Sequence, residues 1–177
     1  MCSDGPTEGE TFRRVDSPNF EPRPEGMPIE LLVIHNISLP PDEFGGPGVE
    51  QLFTNTLDPA EHPYYAEIQG MKVSAHFFIR RDGSLIQFVS CRDRAWHAGL
   101  SQWQGRDRCN DFSIGVELEG CDSRPFADAQ YAALRRLSAA LHAAYPLRAT
   151  VGHSEIAPGR KTDPGPYFDW ARIPRIQ

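Results

Sequence analysis

In the segment Gly159-Arg160-Lys161-Thr162-Asp163-Pro164-Gly165-Pro166 a carboxylate follows a lysine by two residues inside a Pro/Gly loop, shortly after His153. Lys72 and Lys161 are the only lysines among 18 basic residues, so Lys161 stands where a compact ammonium, rather than a planar guanidinium, is wanted. Pro164 biases Asp163 toward extended backbone and limits where its carboxylate can point. A histidine, a lysine and a restrained aspartate near one loop suggest a metal site with an electrostatic helper.

The chain offers 6 histidines. His142 falls inside an Ala-rich helical stretch, and His76 inside a strand-like run, where a hydrogen-bonded structural role is the default. His62, in Glu61-His62-Pro63, either lines a cleft or caps a turn. His97, in Ala95-Trp96-His97-Ala98-Gly99, is a candidate for substrate contact. His35 and His153 differ because each closes an apolar strand-like run, and strand ends let side chains converge on a cleft over a rigid backbone. With Asp163 they make a His-His-Asp set that leaves a fourth tetrahedral position open, as catalytic zinc sites do. Spacing alone leaves this one of many triples that six histidines allow.

The elements that must hold these groups are legible from periodicity. Ile29 to Ile34 is a continuous apolar run and reads as a buried strand ending at His35. Val73 to Arg80 and Ser84 to Val89 flank Asp82-Gly83 and read as a hairpin. Phe112 to Glu119 alternates, which sets Phe112, Ile114, Val116 and Leu118 on one face and Ser113, Gly115, Glu117 and Glu119 on the other. Asp128 to Tyr145 is the one long helix, with Tyr131, Leu134, Leu137 and Leu141 at helical spacing and Pro146 as its stop. Thr150 to Gly152 leads into His153 as a short strand, and residues 168–172 suggest a last helical turn. Residues 1–28 read as an irregular Pro-rich arm, and 37–70 as a loop-rich insertion near the site with one helical candidate at Val49 to Thr54. This pattern predicts one α/β domain over residues 1–177, built on a single mixed β-sheet flanked by helices.

A net charge of -6 and a pI near 5.5 argue against nucleic acid as a main partner. No apolar run reaches the length of a membrane span, and the polar first thirty residues hold no secretory h-region, so a cytoplasmic location away from membranes is expected. The 4 cysteines lack C-x-x-C spacing and read as free thiols.

Five blocks in order along the chain carry a family resemblance. They are Leu32-Val33-Ile34-His35-Asn36-Ile37-Ser38-Leu39-Pro40-Pro41, Val73-Ser74-Ala75-His76, Arg94-Ala95-Trp96-His97-Ala98-Gly99, Cys109 to Gly120, and Lys161-Thr162-Asp163-Pro164-Gly165. Together they resemble the AmpD family of cytoplasmic 1,6-anhydro-N-acetylmuramyl-L-alanine amidases of cell-wall recycling. The resemblance implies the fold of the N-acetylmuramoyl-L-alanine amidase type 2 domain, shared with peptidoglycan-recognition proteins. It implies Zn2+ on His35, His153 and Asp163, with Glu117 and Lys161 as catalytic residues. Zinc lowers the pKa of a bound water from 15.7 toward about 7. Glu117 would move its proton, and Lys161 would stabilise the oxyanion. The implied substrate is an anhydromuropeptide, hydrolysed by a chain expected to be monomeric. Arg108 and Lys72 match positions associated with peptide recognition, while Asn36 and Trp96 are candidates for substrate and sugar contact. Glu119, two residues beyond Glu117 on the same strand face, reads as a surface or loop-anchoring carboxylate. A broader murein amidase and a non-catalytic peptidoglycan-binding module remain the alternatives.

Overall fold

A strand as apolar as Ile29 to Ile34 needs cover on both faces, and in the computed structural model, which describes residues 11–174, it has it. The strands are β1 (Phe12–Arg14), β2 (Phe20–Pro22), β3 (Leu31–Ile37), β4 (Phe77–Ile79), β5 (Leu85–Gln87), β6 (Asp93–Ala95), β7 (Gln102–Trp103), β8 (Arg106–Asp107), β9 (Ser113–Glu119) and β10 (Ala149–Gly152). The α-helices are α1 (Gly48–Thr54), α2 (Pro63–Glu67), α3 (Asp128–Ala144) and α4 (His153–Ile156). Six strands form one sheet in the order β1-β5-β4-β9-β3-β10, while β2-β6 and β7-β8 are separate pairs. Only β4 and β5 run antiparallel within the large sheet, so it is mixed and helix-flanked, as expected.

Strand alternation divides the core. Leu32 and Ile34 of β3, with Ile114, Val116 and Leu118 of β9, face α3 through Tyr131, Leu134, Leu137 and Leu141. On the opposite face, Leu31 and Val33 join Ala98, Cys109, Phe112 and Val151, while Phe78, Ile86 and Phe88 are covered by α1 and α2 through Val49, Leu52, Phe53 and Tyr65. Each fully buried side chain of this size stabilises the fold by about 1.5–3 kcal/mol. His35 and Glu117 lie between these two clusters: along β3 the same face runs from Leu31 and Val33 through His35 to Ile37, which packs on the second cluster.

Gln130 locks α3 to the sheet. Its side chain is fully buried, its Nε2 donates to the carbonyls of Ile79 (3.2 Å) and Glu119 (3.0 Å), and its Oε1 accepts from the Ala127 N–H (3.0 Å). Gln130→Ala removes the partner of two buried carbonyls and one half-buried N–H and is expected to cost about 2–3 kcal/mol. A lower urea midpoint at unchanged m-value would show it.

The structure departs from the sequence reading in four places. The Pro-rich arm is not wholly irregular: β1 adds to the sheet edge beside β5, and β2 pairs with β6. Both strands are three residues long and exposed throughout, so neither shows an alternating pattern. Residues 37–70 contain a second helix, α2, started by Pro63 and capped by His62, whose Nδ1 accepts from the Tyr64 N–H. Phe112 ends a 3-10 turn before β9 begins, which turns its ring to the face opposite Ile114. The face of β9 read as polar is buried from end to end, because the sheet is covered on both sides. Among the described residues no helix is long and apolar enough to cross a membrane. Cys91, Cys109 and Cys121 are buried and form no disulfide among the described residues, whereas Cys2 lies outside them.

Candidate active site

Parallel pairing of β10 with β3 sets Gly152 opposite Ile34, so His153, the next residue, arrives beside His35. Asp163 returns from the Pro/Gly loop, tied by its own carbonyl to the Ser154 N–H at 3.0 Å. Three ligand-type atoms then meet: His35 Nδ1 lies 3.0 Å from His153 Nδ1 and 3.0 Å from Asp163 Oδ2, and His153 Nδ1 lies 3.1 Å from Asp163 Oδ2. They are the only described group of three or more histidine, cysteine or acidic side chains placed to share a metal ion.

The far sides of the rings show which nitrogens are free. His153 Nε2 sits 2.9 Å from the Ala98 carbonyl, which can only accept, so a hydrogen on Nε2 is satisfied there while Nδ1 faces His35 and Asp163 as the ligand-type atom. His35 Nε2 is 2.9 Å from His97 Nδ1, and His97 Nε2 is 3.2 Å from Ser113 Oγ. Burial pushes the His35 pKa down to about 4, with the Asp163 hydrogen bond opposing, so the ring is neutral at pH 7. Burial alone would raise Asp163, yet hydrogen bonds with His153 and His35 hold its carboxyl well below the usual carboxylate range. Two imidazole nitrogens and an anionic oxygen converging in a buried corner are a donor set for a cation.

Glu117 is the register partner of His35 on β9 and points to the same face. It is 8% exposed, its Oε2 has no hydrogen-bond partner, and it lines the same cleft as His35, His153 and Asp163. Burial first, then the nearby Asp163 charge, raises its pKa well above the ordinary value, with Lys161 pulling the other way. Lys161 is exposed on the cleft wall. The cleft encloses about 410 Å³, with an apolar flank from Leu52, Tyr64, Ile68 and Val73.

The other singled-out residues divide. Asn36 lines the cleft but spends its amide on Asp122 Oδ1 (2.7 Å) and the Pro164 carbonyl (3.0 Å), clasping the loop that carries Asp163. Trp96 also lines it, with its indole N–H on Glu21 of β2. His97 also lines the cleft, at 8% exposure with Nδ1 against His35, and its neighbour Gly115 leaves room for the ring, since a Cβ there would overlap it. Lys72 is exposed between Met71 and Val73, which line the cleft, but does not line it itself. Arg108 does not line the cleft; its side chain is 70% exposed and pairs with Asp111 at 3.1 Å. His76 is structural: its Nδ1 accepts from the Gly115 N–H and its Nε2 meets the Asp93 carbonyl and half-buried Arg23. Glu119 anchors loops by accepting from the N–H groups of Gly45 and Arg81. Sequence reasoning missed the Ala98 carbonyl, Asn110, Ser113 and Arg160. Arg160 donates to the carbonyls of Ala98 and Leu100 behind His153. A backbone acceptor has no signature in residue type, and the other three are polar residues of common kinds.

The comparisons with known proteins agree with this geometry. A family model described as N-acetylmuramoyl-L-alanine amidase matches residues 25–166. The 1,6-anhydro-N-acetylmuramyl-L-alanine amidase AmpD of Escherichia coli (strain K12) is 58% identical over 163 residues, covering 91% of this chain and 89% of the relative. The crystal structure of a Se-Met AmpD derivative superposes with a TM-score of 0.90 at 56% identity, covering 93% of each chain. AmiD from E. coli, solved with the substrate anhydro-N-acetylmuramic acid-L-Ala-D-gamma-Glu-L-Lys, gives a TM-score of 0.60 at 32% identity over 84% of this chain and 57% of its own. Similarity that spans nearly the whole chain, in sequence and in backbone alike, means that it belongs to the N-acetylmuramoyl-L-alanine amidase family, among its AmpD members.

Proposed function

We propose that the chain is a zinc-dependent amidase that cleaves the bond between the lactyl carbonyl of anhydro-N-acetylmuramic acid and the L-alanine of a stem peptide, in the recycling of wall fragments. The observation that carries this reading is the meeting of His35, His153 and Asp163 within 3.0–3.1 Å of one another, beside the unpartnered carboxylate oxygen of Glu117. Ligand atoms about 2.0–2.1 Å from a tetrahedral zinc stand about 3.3 Å apart, so these three need to spread only slightly to accept the ion. The set is also right in kind for zinc, which would be held by two imidazoles and one carboxylate. A zinc ion held there supplies Lewis acidity, which polarises the scissile carbonyl and makes a water easier to deprotonate.

The remaining work falls to side chains. Glu117, one strand over from His35, takes the proton from the attacking water and returns it to the leaving amine of L-alanine. Its raised pKa suits both halves of that task, since a carboxyl with pKa nearer neutrality accepts and gives up a proton at working pH. Lys161 places an ammonium on the cleft wall, where it stabilises the oxyanion that forms on the carbonyl, a contribution of about 3 kcal/mol for a preorganised donor. Asn36 keeps the loop that carries Lys161 and Asp163 against β3. The apolar flank offers a surface for the compact anhydro sugar, and Lys72, exposed between two residues of the cleft wall, would meet stem-peptide carboxylates. The substrate bound to AmiD, which the AmpD-like chain resembles in fold, supports the choice of ligand.

Turnover on an anhydromuropeptide against the same peptide on a reduced, non-anhydro muramic acid tests the sugar preference. The reading expects kcat/KM to favour the anhydro form by at least about tenfold, which corresponds to about 1.4 kcal/mol of differential binding. Equal values would make the chain a general murein amidase, and binding without turnover would make it a recognition module.

A further inference from the structure

The two candidate zinc histidines are held from behind by two consecutive residues. His97 Nδ1 stands 2.9 Å from Nε2 of His35, and the carbonyl of Ala98 stands 2.9 Å from Nε2 of His153. We infer that the His97-Ala98 dipeptide is a bracket that sets the tautomer and aim of both metal-binding imidazoles, and that His97 is a positioning residue rather than a substrate contact. The inference rests on the zinc reading above.

The proton accounting is complete. For both Nδ1 atoms to meet at one ion, both Nε2 atoms must carry hydrogen, and each hydrogen needs an acceptor in a site closed to water. Ala98 supplies a carbonyl, which only accepts. His97 supplies Nδ1, which is an acceptor only if its own proton is on Nε2, where Ser113 Oγ at 3.2 Å receives it.

The bracket is itself fixed. Asn110 Oδ1 accepts from the N–H groups of His97 (3.2 Å) and Ala98 (2.8 Å), which pins the dipeptide backbone. A Cβ on Gly115 of β9 would overlap the His97 ring, so the glycine gives the ring its clearance. Arg160 Nη2 donates to the Ala98 carbonyl at 2.8 Å and stands 3.4 Å from His153 Nε2, holding that acceptor in place beside the ring. At 8% exposure, with one ring nitrogen on His35 and the other on Ser113, His97 has no free ring nitrogen to offer a substrate. Such outer partners typically change metal affinity by about 10–100-fold.

The test is the zinc Kd of the full chain, read by competition with a chromophoric chelator, for wild type, His97→Ala, His97→Leu and His97→Asn. His97→Ala removes the acceptor and leaves a gap; His97→Leu removes it and fills the space. The Oδ1 of the Asn variant restores an acceptor near the position of Nδ1. The bracket predicts a Kd raised about 10–100-fold in the Ala and Leu variants and largely recovered in Asn. It also predicts that a slowly exchanging His35 Nε2–H proton resonance, present in wild type, disappears with the acceptor. An unchanged Kd in whichever of the Ala and Leu variants fold, with KM alone raised, would overturn the bracket and return His97 to the substrate. Equal weakening in the Asn variant would overturn it as well. Failure of the wild type to bind zinc at all would instead remove the zinc reading on which the bracket stands.

Discussion

Glu117→Gln is expected to retain one zinc per chain and to lower kcat by about 10²–10⁴-fold, the range that a general base supplies. Glutamine keeps the shape and leaves the corner of His35, His153 and Asp163 untouched, because Glu117 makes no hydrogen bond to any of the three. It cannot take a proton. Metal analysis alongside single-turnover rates checks both halves, and loss of zinc in this variant would show Glu117 to be structural. The pKa shift adds a second readout. Burial raises the Glu117 pKa in the folded state, so the ionised carboxylate works against folding at pH above its unfolded value of about 4.3, and this cost vanishes below that pH, where both states are protonated. In chelator-treated protein, where no cation offsets the charge, Glu117→Gln should therefore melt higher than wild type at pH 7. The gap should close as the pH falls toward 4. A variant that melts lower at pH 7 would contradict the account of a buried, unpartnered carboxylate.

Asp163→Ala is expected to weaken zinc binding by at least about 100-fold and to abolish turnover at ordinary zinc levels. The carboxylate is the only anion of the three converging groups, and without it two neutral imidazoles would face a dication alone. The loop has other anchors: the Asp163 carbonyl on Ser154, the Pro164 carbonyl on Asn36, and the Gly165 N–H on Thr162, so the fold should persist. Thermal melts with and without zinc separate the two effects. Wild type should gain stability with zinc, by about 4 kcal/mol when the free ion exceeds Kd a thousandfold, whereas Asp163→Ala should gain little. A full zinc-dependent shift in the variant would mean that the metal is held elsewhere.

The fold was legible where burial leaves a period in the sequence. Ile29 to Ile34, Phe112 to Glu119 and Asp128 to Tyr145 each carry long apolar patterns, and each became the sheet centre or its covering helix. The N-terminal strands were hidden because three exposed residues such as Phe12–Arg14 pair only through backbone hydrogen bonds with β5, far away in sequence. Helix α2 was hidden for a similar reason: one turn and a half, begun at a proline, reads as loop composition. At the site, residue types and block order singled out His35, His153, Asp163, Glu117 and Lys161, but not why they meet. That depends on register: Gly152 opposite Ile34 and Glu117 opposite His35 are facts of strand pairing, which no spacing along the chain contains. His97 shows the limit most clearly. An aromatic-flanked histidine in a loop suggested a candidate for substrate contact, but neither the clearance that Gly115 leaves for its ring nor its approach to the back of His35 could be read from spacing.

The most direct test of the zinc amidase is the product mass spectrum from anhydro-N-acetylmuramyl-L-Ala-D-γ-Glu-L-Lys incubated with protein carrying one zinc per chain, after chelation, and after zinc is restored. The account predicts free anhydro-N-acetylmuramic acid and an intact tripeptide with an L-alanine amino terminus, lost on chelation and recovered with the metal. An uncleaved muropeptide, or cleavage that survives removal of zinc, would contradict it.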